Sequence, residues 1–152
     1  MNQQTHRGFQ PRHDARSDTP SITVEDIRFG EISEDLYAGI AEKKAETIAG
    51  SGKREQNKST QLRRFYDELV LWNEKINGKG TTGEREARYK ELAPLIKMLN
   101  AKVVYAEGRG HVDANFVALF RRVIAEIRNP RTLDQAKLFM EAFMGFYKAH
   151  KG

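Results

Sequence analysis

Apolar residues recur along most of this chain at the three- and four-residue spacing of an α-helix. The pattern is clearest in four stretches, each of which would place its apolar positions on one helical face. These positions are Leu62, Phe65, Tyr66, Leu69 and Ile76; Leu95, Leu99, Val103 and Ala106; Phe116, Val117, Leu119, Phe120, Val123, Ile124 and Ile127; and Leu133, Ala136, Phe139, Met140, Phe143, Phe146 and Tyr147. No stretch of useful length alternates between apolar and polar residues as a half-buried strand would. The pattern predicts an all-α protein, a compact bundle of about five helices.

Capping and breaking residues suggest where these helices begin and end. Asp113 has the side chain of a helix N-cap, and Thr132 with Gln135 forms a capping-box pattern for the last helix. Pro94 predicts a break or kink near Ala93, between a charged helical turn and the apolar stretch that follows.

The N-terminal part of the chain differs from the rest. Residues 1–30 are predicted to form a polar N-terminal extension that is flexible or ordered by a partner, ahead of a helical bundle domain at residues 31–152. Residues 21–30 include Ile22, Val24, Ile27 and Phe29, enough apolar side chains to dock a short segment.

Composition narrows the class of protein. The 152 residues suffice for one domain with a real core, and the absence of cysteine excludes disulfides and thiolate chemistry. No apolar run is long enough to span a bilayer, and no signal peptide opens the chain, so we expect a cytoplasmic protein without a membrane partner. The formal net charge of +5 permits a polyanionic partner without requiring one.

Catalytic and ligand-binding patterns are not recognisable in this sequence. The carboxylates fall on charged helix faces, and the histidines, His150 among them, show no metal-ligand spacing. The glycine-rich residues 77–83 lack the upstream glycine of a phosphate-binding loop. We therefore expect a protein that is not an enzyme and that has neither a metal site nor a cofactor.

A first group of basic residues lies at the start of the predicted second helix. Residues 53–64 contain five basic side chains and one acid. Gln61 and Arg64 would lie on one flank of the helix, with Lys58 at its entrance. Basic residues at a helix start oppose the macrodipole unless an anion is nearby. A phosphate contact and a solvated basic helix start are equally compatible with this pattern.

A second group follows the apolar stretch at residues 93–110. Lys102 sits beside the predicted core face, and Arg109 lies between two glycines on a turn that would suit a phosphate contact. These residues alone favour the ordinary interpretation, a helix C-terminus with Gly108 as the stop and a basic residue near its negative end. Arg121 and Arg122 interrupt the next apolar face and are expected to point outward.

Three segments together resemble a known family. They are S-T-Q-L-R-R-F-Y-D-E-L at residues 59–69, L-I-K-M-L-N-A-K-V-V-Y-A-E-G-R-G at 95–110 and F-M-E-A-F-M-G-F-Y-K at 139–148. Their order and spacing resemble the small subunit of type III-A CRISPR–Cas effector complexes, the Csm family. The resemblance covers roughly residues 57–151. The positions that match the family pattern are Gln61, Arg63, Arg64, Lys102 and Arg109.

The resemblance implies a compact, non-catalytic helical protein of five helices. Such subunits stack in several copies and line the channel that holds the guide RNA and its target RNA. They contact other copies of themselves, the repeated backbone subunits and the large signalling subunit. Phosphate contacts supply affinity without selecting sequence, as a guide-dependent complex requires. The candidate RNA-contacting residues are Lys58, Gln61, Arg63, Arg64, Lys102, Arg109, Arg121 and Arg122.

Two other functions compete with this prediction. A helical protein–protein adaptor without nucleic-acid contact would also explain the bundle, the lack of a catalytic pattern and the surface charge. A DNA-binding helix-turn-helix protein would need polar base-reading residues on the outer face of a recognition helix. The last helix offers few of them, which argues against that alternative.

Overall fold

The computed structural model describes residues 19–151. After an irregular N-terminal segment, a π-helical turn at Leu36–Ile40 leads directly into α1 (Ala41–Ala49). The remaining helices are α2 (Ser59–Asn77), α3 (Thr82–Lys97), α4 (Leu99–Gly108), α5 (Ala114–Ala125) and α6 (Pro130–Lys151). Met98 alone separates α3 from α4, so this pair counts as one bent helix in a bundle of five. No β-strand occurs in residues 19–151, and the predicted all-α bundle is confirmed.

The core forms where α6, the longest helix, packs extensively against α1 and α2. Aromatic rings from three helices meet there. The ring centroids of Phe65 and Phe120 are 5.1 Å apart, and those of Phe116 and Phe143 are 6.3 Å apart. Each fully buried phenylalanine contributes about 1.5–3 kcal/mol from the removal of apolar surface from water. None of the helices within residues 19–151 is long and apolar enough to cross a lipid bilayer.

Asn57 connects the start of α2 to the turn between α4 and α5. It is fully buried and has a positive φ of 61°, which asparagine tolerates better than most residues. Its N–H donates to the His111 carbonyl at 2.9 Å. Its side-chain oxygen accepts the N–H of Asp113, the predicted and observed cap of α5, at 3.0 Å. The buried Tyr147 hydroxyl donates to the Asn57 carbonyl. Burial, and secondly the Asp113 carboxylate, raise the pKa of Tyr147 to about 12.

The start of α6 differs from the prediction. The helix begins at Pro130, three residues earlier than a cap at Thr132 would place it, so the predicted capping box at Thr132 and Gln135 is wrong. Asn129 instead accepts the Thr132 N–H through its side-chain oxygen at 2.8 Å. The Thr132 hydroxyl oxygen accepts the Asn129 N–H at 3.0 Å in return. Proline is favourable at the first helical position, where its missing N–H would have no helical partner. Gln135 is thereby left to hydrogen-bond the backbone of Gly30.

The predicted break near Ala93 is also wrong, because Pro94 lies inside α3 and the helix ends three residues later, at Lys97. The alternative of a kink at this position stays a prediction. A proline removes one helical hydrogen bond, which the contacts of the following turn can offset. One of these contacts is made by Lys97, whose ammonium donates to the Ile124 carbonyl in the last turn of α5 at 2.9 Å.

The position of this break changes which residues reach the core. Leu99, Val103 and Ala106 are buried as predicted, but Leu95 is 40% exposed and its neighbour Ile96 is fully buried. Helical periodicity predicts a common face only within one continuous helix. The break at Met98 separates Leu95 from the other three positions, so the prediction that Leu95 belongs to the core is wrong.

Residues 21–30, here called the N-terminal strap, pack onto the bundle. Ile27 and Phe29 are buried, and the ring of Phe29 lies 6.2 Å from that of Phe139. The predicted docking of this segment is confirmed. Residues 1–18 lie outside the described residues, and the expected domain boundary after residue 30 stays a prediction.

Polar side chains from α5, α6 and their connection hold the strap by its backbone. Arg122 donates from Nε to the Ile27 carbonyl at 2.9 Å, and Arg128 donates to the Phe29 carbonyl at 3.1 Å. Asn115 accepts the N–H groups of two strap residues at 2.7 and 3.0 Å. Because these bonds satisfy backbone groups that regular secondary structure would otherwise pair, the irregular strap can be part of the folded core.

Candidate nucleic-acid interface

Three exposed side chains form a line along α4. Lys102, Tyr105 and Arg109 follow each other at spacings of three and four residues, on one flank of the helix beside its buried face. The Arg109 guanidinium donates to the Tyr105 hydroxyl at 3.1 Å and lies 5.8 Å from the centroid of its ring. Tyrosine is a neutral partner, so this contact orients the guanidinium without cancelling its charge.

The turn after α4 also agrees with the ordinary interpretation of this stretch. Arg109 is the C-cap of α4, and its N–H donates to the Tyr105 carbonyl at 3.0 Å. Gly110 has a φ of +79°, and the next residue, His111, donates its N–H to the Ala106 carbonyl at 2.9 Å. This is the arrangement of a helix ended by a left-handed glycine. That glycine is Gly110, and Gly108 is the last residue of α4, so the prediction of Gly108 as the stop is wrong. Arg109 therefore both caps the C-terminus of α4 and presents an exposed guanidinium.

Lys102 links α4 to one flank of α2. Its ammonium lies 3.2 Å from the Glu68 carboxylate, and both side chains are partly exposed. Gln61 and Arg64 lie seven and four residues before Glu68, so they share its flank of α2. Asn57, just before the start of α2, contacts the turn that follows α4, whereas Glu68, further along α2, contacts Lys102 near the start of α4. The two helices therefore run antiparallel. We call Gln61, Arg64, Lys102, Tyr105 and Arg109 the α2–α4 flank.

Lys58 stands at one end of this flank. It precedes α2 directly and follows Asn57, whose N–H donates to the His111 carbonyl two residues after Arg109. Its ammonium lies 3.0 Å from the Glu55 carboxylate, and both side chains are exposed. Such a surface ion pair contributes about 0–1 kcal/mol, so another anion can replace the glutamate at low cost.

Arg63 lies on the other side of α2. It lies 3.7 Å from the Asp67 carboxylate, and its guanidinium carbon is 5.9 Å from the Tyr66 ring centroid. With Tyr66 and Lys148 it lines a groove of about 400 Å³ between α2 and α6. Arg63 and Arg64, the two consecutive arginines of the segment at residues 59–69, thus lie on different surfaces of α2.

The two arginines of α5 are also separated. Arg122 is half-buried and bonded to the strap, at 2.9 Å from the Ile27 carbonyl and 3.2 Å from the Glu25 carbonyl. Its expected outward orientation is wrong for this reason. Arg121 is exposed and lies on α5, a helix that carries no member of the α2–α4 flank. Whether either residue contacts RNA stays a prediction.

Tyr105 is the residue of this surface that sequence reasoning missed. Its side chain is 66% exposed, whereas the aromatic residues named in the sequence analysis lie on the predicted apolar faces of the helices. The signal was its spacing, three residues after Lys102 and four before Arg109. Met98 and Val104 are also exposed on or beside α4, so the outer surface of this helix is unusually apolar.

Comparison with known proteins identifies the family. The family model described as Csm2 Type III-A matches residues 38–152. This match contains α2, α4 and α6, which carry the three motif segments, and it extends further toward the N-terminus than the similarity read from the sequence. The search of curated proteins and the search of solved structures found no match. The chain therefore belongs to the Csm2 Type III-A family, whose members are small subunits and structural components of type III-A CRISPR effector complexes.

Proposed function

We propose that this chain is a non-catalytic RNA-binding subunit that lines the guide RNA and target RNA channel of a cytoplasmic type III-A complex. Sequence-independent phosphate contacts from the α2–α4 flank would provide the affinity. The proposal is supported by two observations: Lys102 and Arg109 lie on one flank of α4, and Lys102 pairs with Glu68, four residues after Arg64 on α2.

The partners of these cations inside the chain support a role in phosphate binding. Lys102 has a surface carboxylate as its partner, and Arg109 has a neutral hydroxyl. A surface ion pair contributes about 0–1 kcal/mol, whereas a hydrogen bond to a charged group can contribute about 1.5–3 kcal/mol. A phosphate oxygen can therefore replace Glu68 as the partner of Lys102. One subunit offers few such contacts, and stacked copies would add theirs along one strand.

Tyr105 adds a second kind of contact to this surface. A base stacked on an exposed aromatic ring contributes about 1–3 kcal/mol and is accepted whatever its identity, because every base has a π face. Arg109 lies against the same ring, so a phosphate bound at Arg109 would bring the adjoining nucleotide toward Tyr105. Stacking at this position fits a channel in which base pairing with the guide reads the sequence.

Protein partners are proposed on a different observation. Met98 and Val104 are 47% and 43% exposed on or beside α4, and a protein partner that covered them would remove this apolar surface from water. We propose contacts with other copies of the chain, with the repeated backbone subunits and with the large signalling subunit. The same observation favours the second candidate function, a helical adaptor that holds these subunits without touching nucleic acid.

The two candidates differ in what the cations of α4 do. We expect the double variant Lys102→Ala, Arg109→Glu to assemble normally but to retain target RNA about a hundredfold more weakly or worse, because two charged hydrogen bonds of about 1.5–3 kcal/mol each are lost. Retention should be measured on the assembled complex at several salt concentrations. The slope of log affinity against log salt should become shallower by about 0.7–0.9 for each phosphate that the variant no longer neutralises.

A matched control carries the same charge change at a distant exposed position. The double variant Lys79→Ala, Arg131→Glu alters the loop after α2 and the first turn of α6, outside the α2–α4 flank. It should assemble and retain RNA as the wild type does. If both double variants retain RNA equally well and with the same salt slope, the flank does not bind RNA and the adaptor function is favoured.

A further inference from the structure

Three potential metal ligands meet where α1 packs against the end of α6. Glu42 and Glu46 are one helical turn apart on α1, and His150 lies in the last turn of α6. Their ligand atoms all lie within 4.8 Å of one another. Two carboxylates and one imidazole, contributed by two helices, thus point toward a common volume.

The polar atoms of this cluster are only loosely paired with one another and are partly exposed to solvent. His150 Nε2 and Glu46 Oε2 are 3.7 Å apart, which is longer than a hydrogen bond. Two glutamates at a spacing of four residues on one helix repel each other. Two N or O ligands of a tetrahedral zinc ion, each about 2.0–2.2 Å from the metal, would lie about 3.3–3.5 Å apart. Side-chain rotations of these partly exposed residues are enough to reach that spacing.

The helix that carries the two glutamates is packed against the core. Ala41, Ala45 and Ile48 are fully buried and fix α1 on the bundle, which leaves Glu42 and Glu46 at its partly exposed edge. Lys44, the buried cation of this helix, pairs with Asp26 at 2.8 Å and does not neutralise the glutamates. Ligands placed on packed helices hold a geometry better than ligands on loops.

We propose that Glu42, Glu46 and His150 bind one divalent transition-metal ion, Zn²⁺ in particular, and thereby tie the end of α6 to α1. Imidazole with carboxylates suits zinc, nickel and copper, whereas magnesium prefers oxygen ligands in octahedral geometry. Three protein ligands leave a fourth position for water. The site lies on α1 and α6 and does not depend on RNA binding by the α2–α4 flank.

The test uses the full chain without a histidine tag, stripped of metal by a chelator and titrated with ZnCl₂ in a calorimeter. We expect one ion per chain and a rise in the thermal unfolding temperature with zinc, because a ligand that binds only the folded state stabilises it. Glu46→Gln and His150→Ala should each weaken zinc binding by about tenfold or more, since even outer contacts of metal sites contribute about 10- to 100-fold. The zinc-dependent rise in unfolding temperature should shrink in parallel.

Matched variants and other ions decide the outcome. His111→Ala and Glu74→Gln change the same residue types outside the cluster and should bind zinc as the wild type does. Ni²⁺ should compete with zinc, and Mg²⁺ at the same concentration should not. The proposal is overturned if zinc does not bind saturably, if His150→Ala binds it unchanged, or if His6→Ala with His13→Ala abolishes binding.

Discussion

The N-terminal strap and the α2–α4 flank use arginine in opposite ways. Arg122 and Arg128 donate to backbone carbonyls of the strap, and each bond joins parts of the chain more than ninety residues apart. Arg109, in contrast, donates to the nearby Tyr105 on its own helix, and Arg64 is exposed. All of these arginines carry the same charge, and they differ in the groups that accept their hydrogen bonds. An arginine bonded to a distant backbone carbonyl is structural, whereas one that is exposed or bonded to a neutral neighbour is available to an anionic partner.

The strap should have the larger effect on stability. Phe29→Ala removes a buried ring that packs against Phe139, and such substitutions cost about 3–5 kcal/mol of unfolding free energy. Urea denaturation followed by circular dichroism measures this loss. Tyr105→Ala is the matched aromatic control on the flank, and its exposed position predicts a change within about 0.5 kcal/mol. Equal losses in the two variants would contradict the distinction between the regions.

A pair of arginine variants tests the same comparison with one residue type. We expect Arg122→Ala to lower the free energy of unfolding by about 1–3 kcal/mol, because it leaves the part-buried Ile27 carbonyl without this donor. Arg64→Ala should change it by less than about 0.5 kcal/mol. Denaturant midpoints at equal slope provide the measurement. A stability loss at Arg64 as large as that at Arg122 would show that the flank is structural.

The smallest expected effect concerns the acid of the flank. Glu68→Gln removes the carboxylate that pairs with Lys102, so the ammonium becomes free for phosphate. We expect the assembled complex to bind target RNA more tightly by about two- to fivefold, in line with the 0–1 kcal/mol of a surface ion pair. Glu74→Gln, an exposed glutamate on the same helix, is the control for the change in net charge. A decrease in RNA affinity in Glu68→Gln alone would mean that Glu68 supports the bound geometry.

The helical fold was predictable because its signal is local. Apolar spacing within each helix predicted the buried faces of α2, α5 and α6, and Asp113 was recognised as a cap from its residue type. The errors arose where tertiary contacts compete with local preference. The bond from Lys97 to the end of α5 accompanies a helix that continues through Pro94. The predicted cap at Thr132 failed because Asn129 and Pro130 start the helix earlier.

The surfaces were less predictable, because they combine residues from distant parts of the chain. Arg63 and Arg64 are adjacent in sequence but lie on different flanks of α2. Arg122 is half-buried because it donates to the backbone of the strap. Glu42 and His150 are more than one hundred residues apart and meet only because α1 packs on α6. Spacing along the sequence cannot reveal a cluster of this kind.

Asn57 has a consequence for how this protein can change over evolutionary time. It carries no charge and is inaccessible to any partner, yet it sets how far α2 is shifted along α4. The distance between Arg64 and Arg109 therefore depends on a residue that binds neither of them. A mutational survey restricted to basic residues would overlook this uncharged position, which fixes the contact between the start of α2 and the turn after α4.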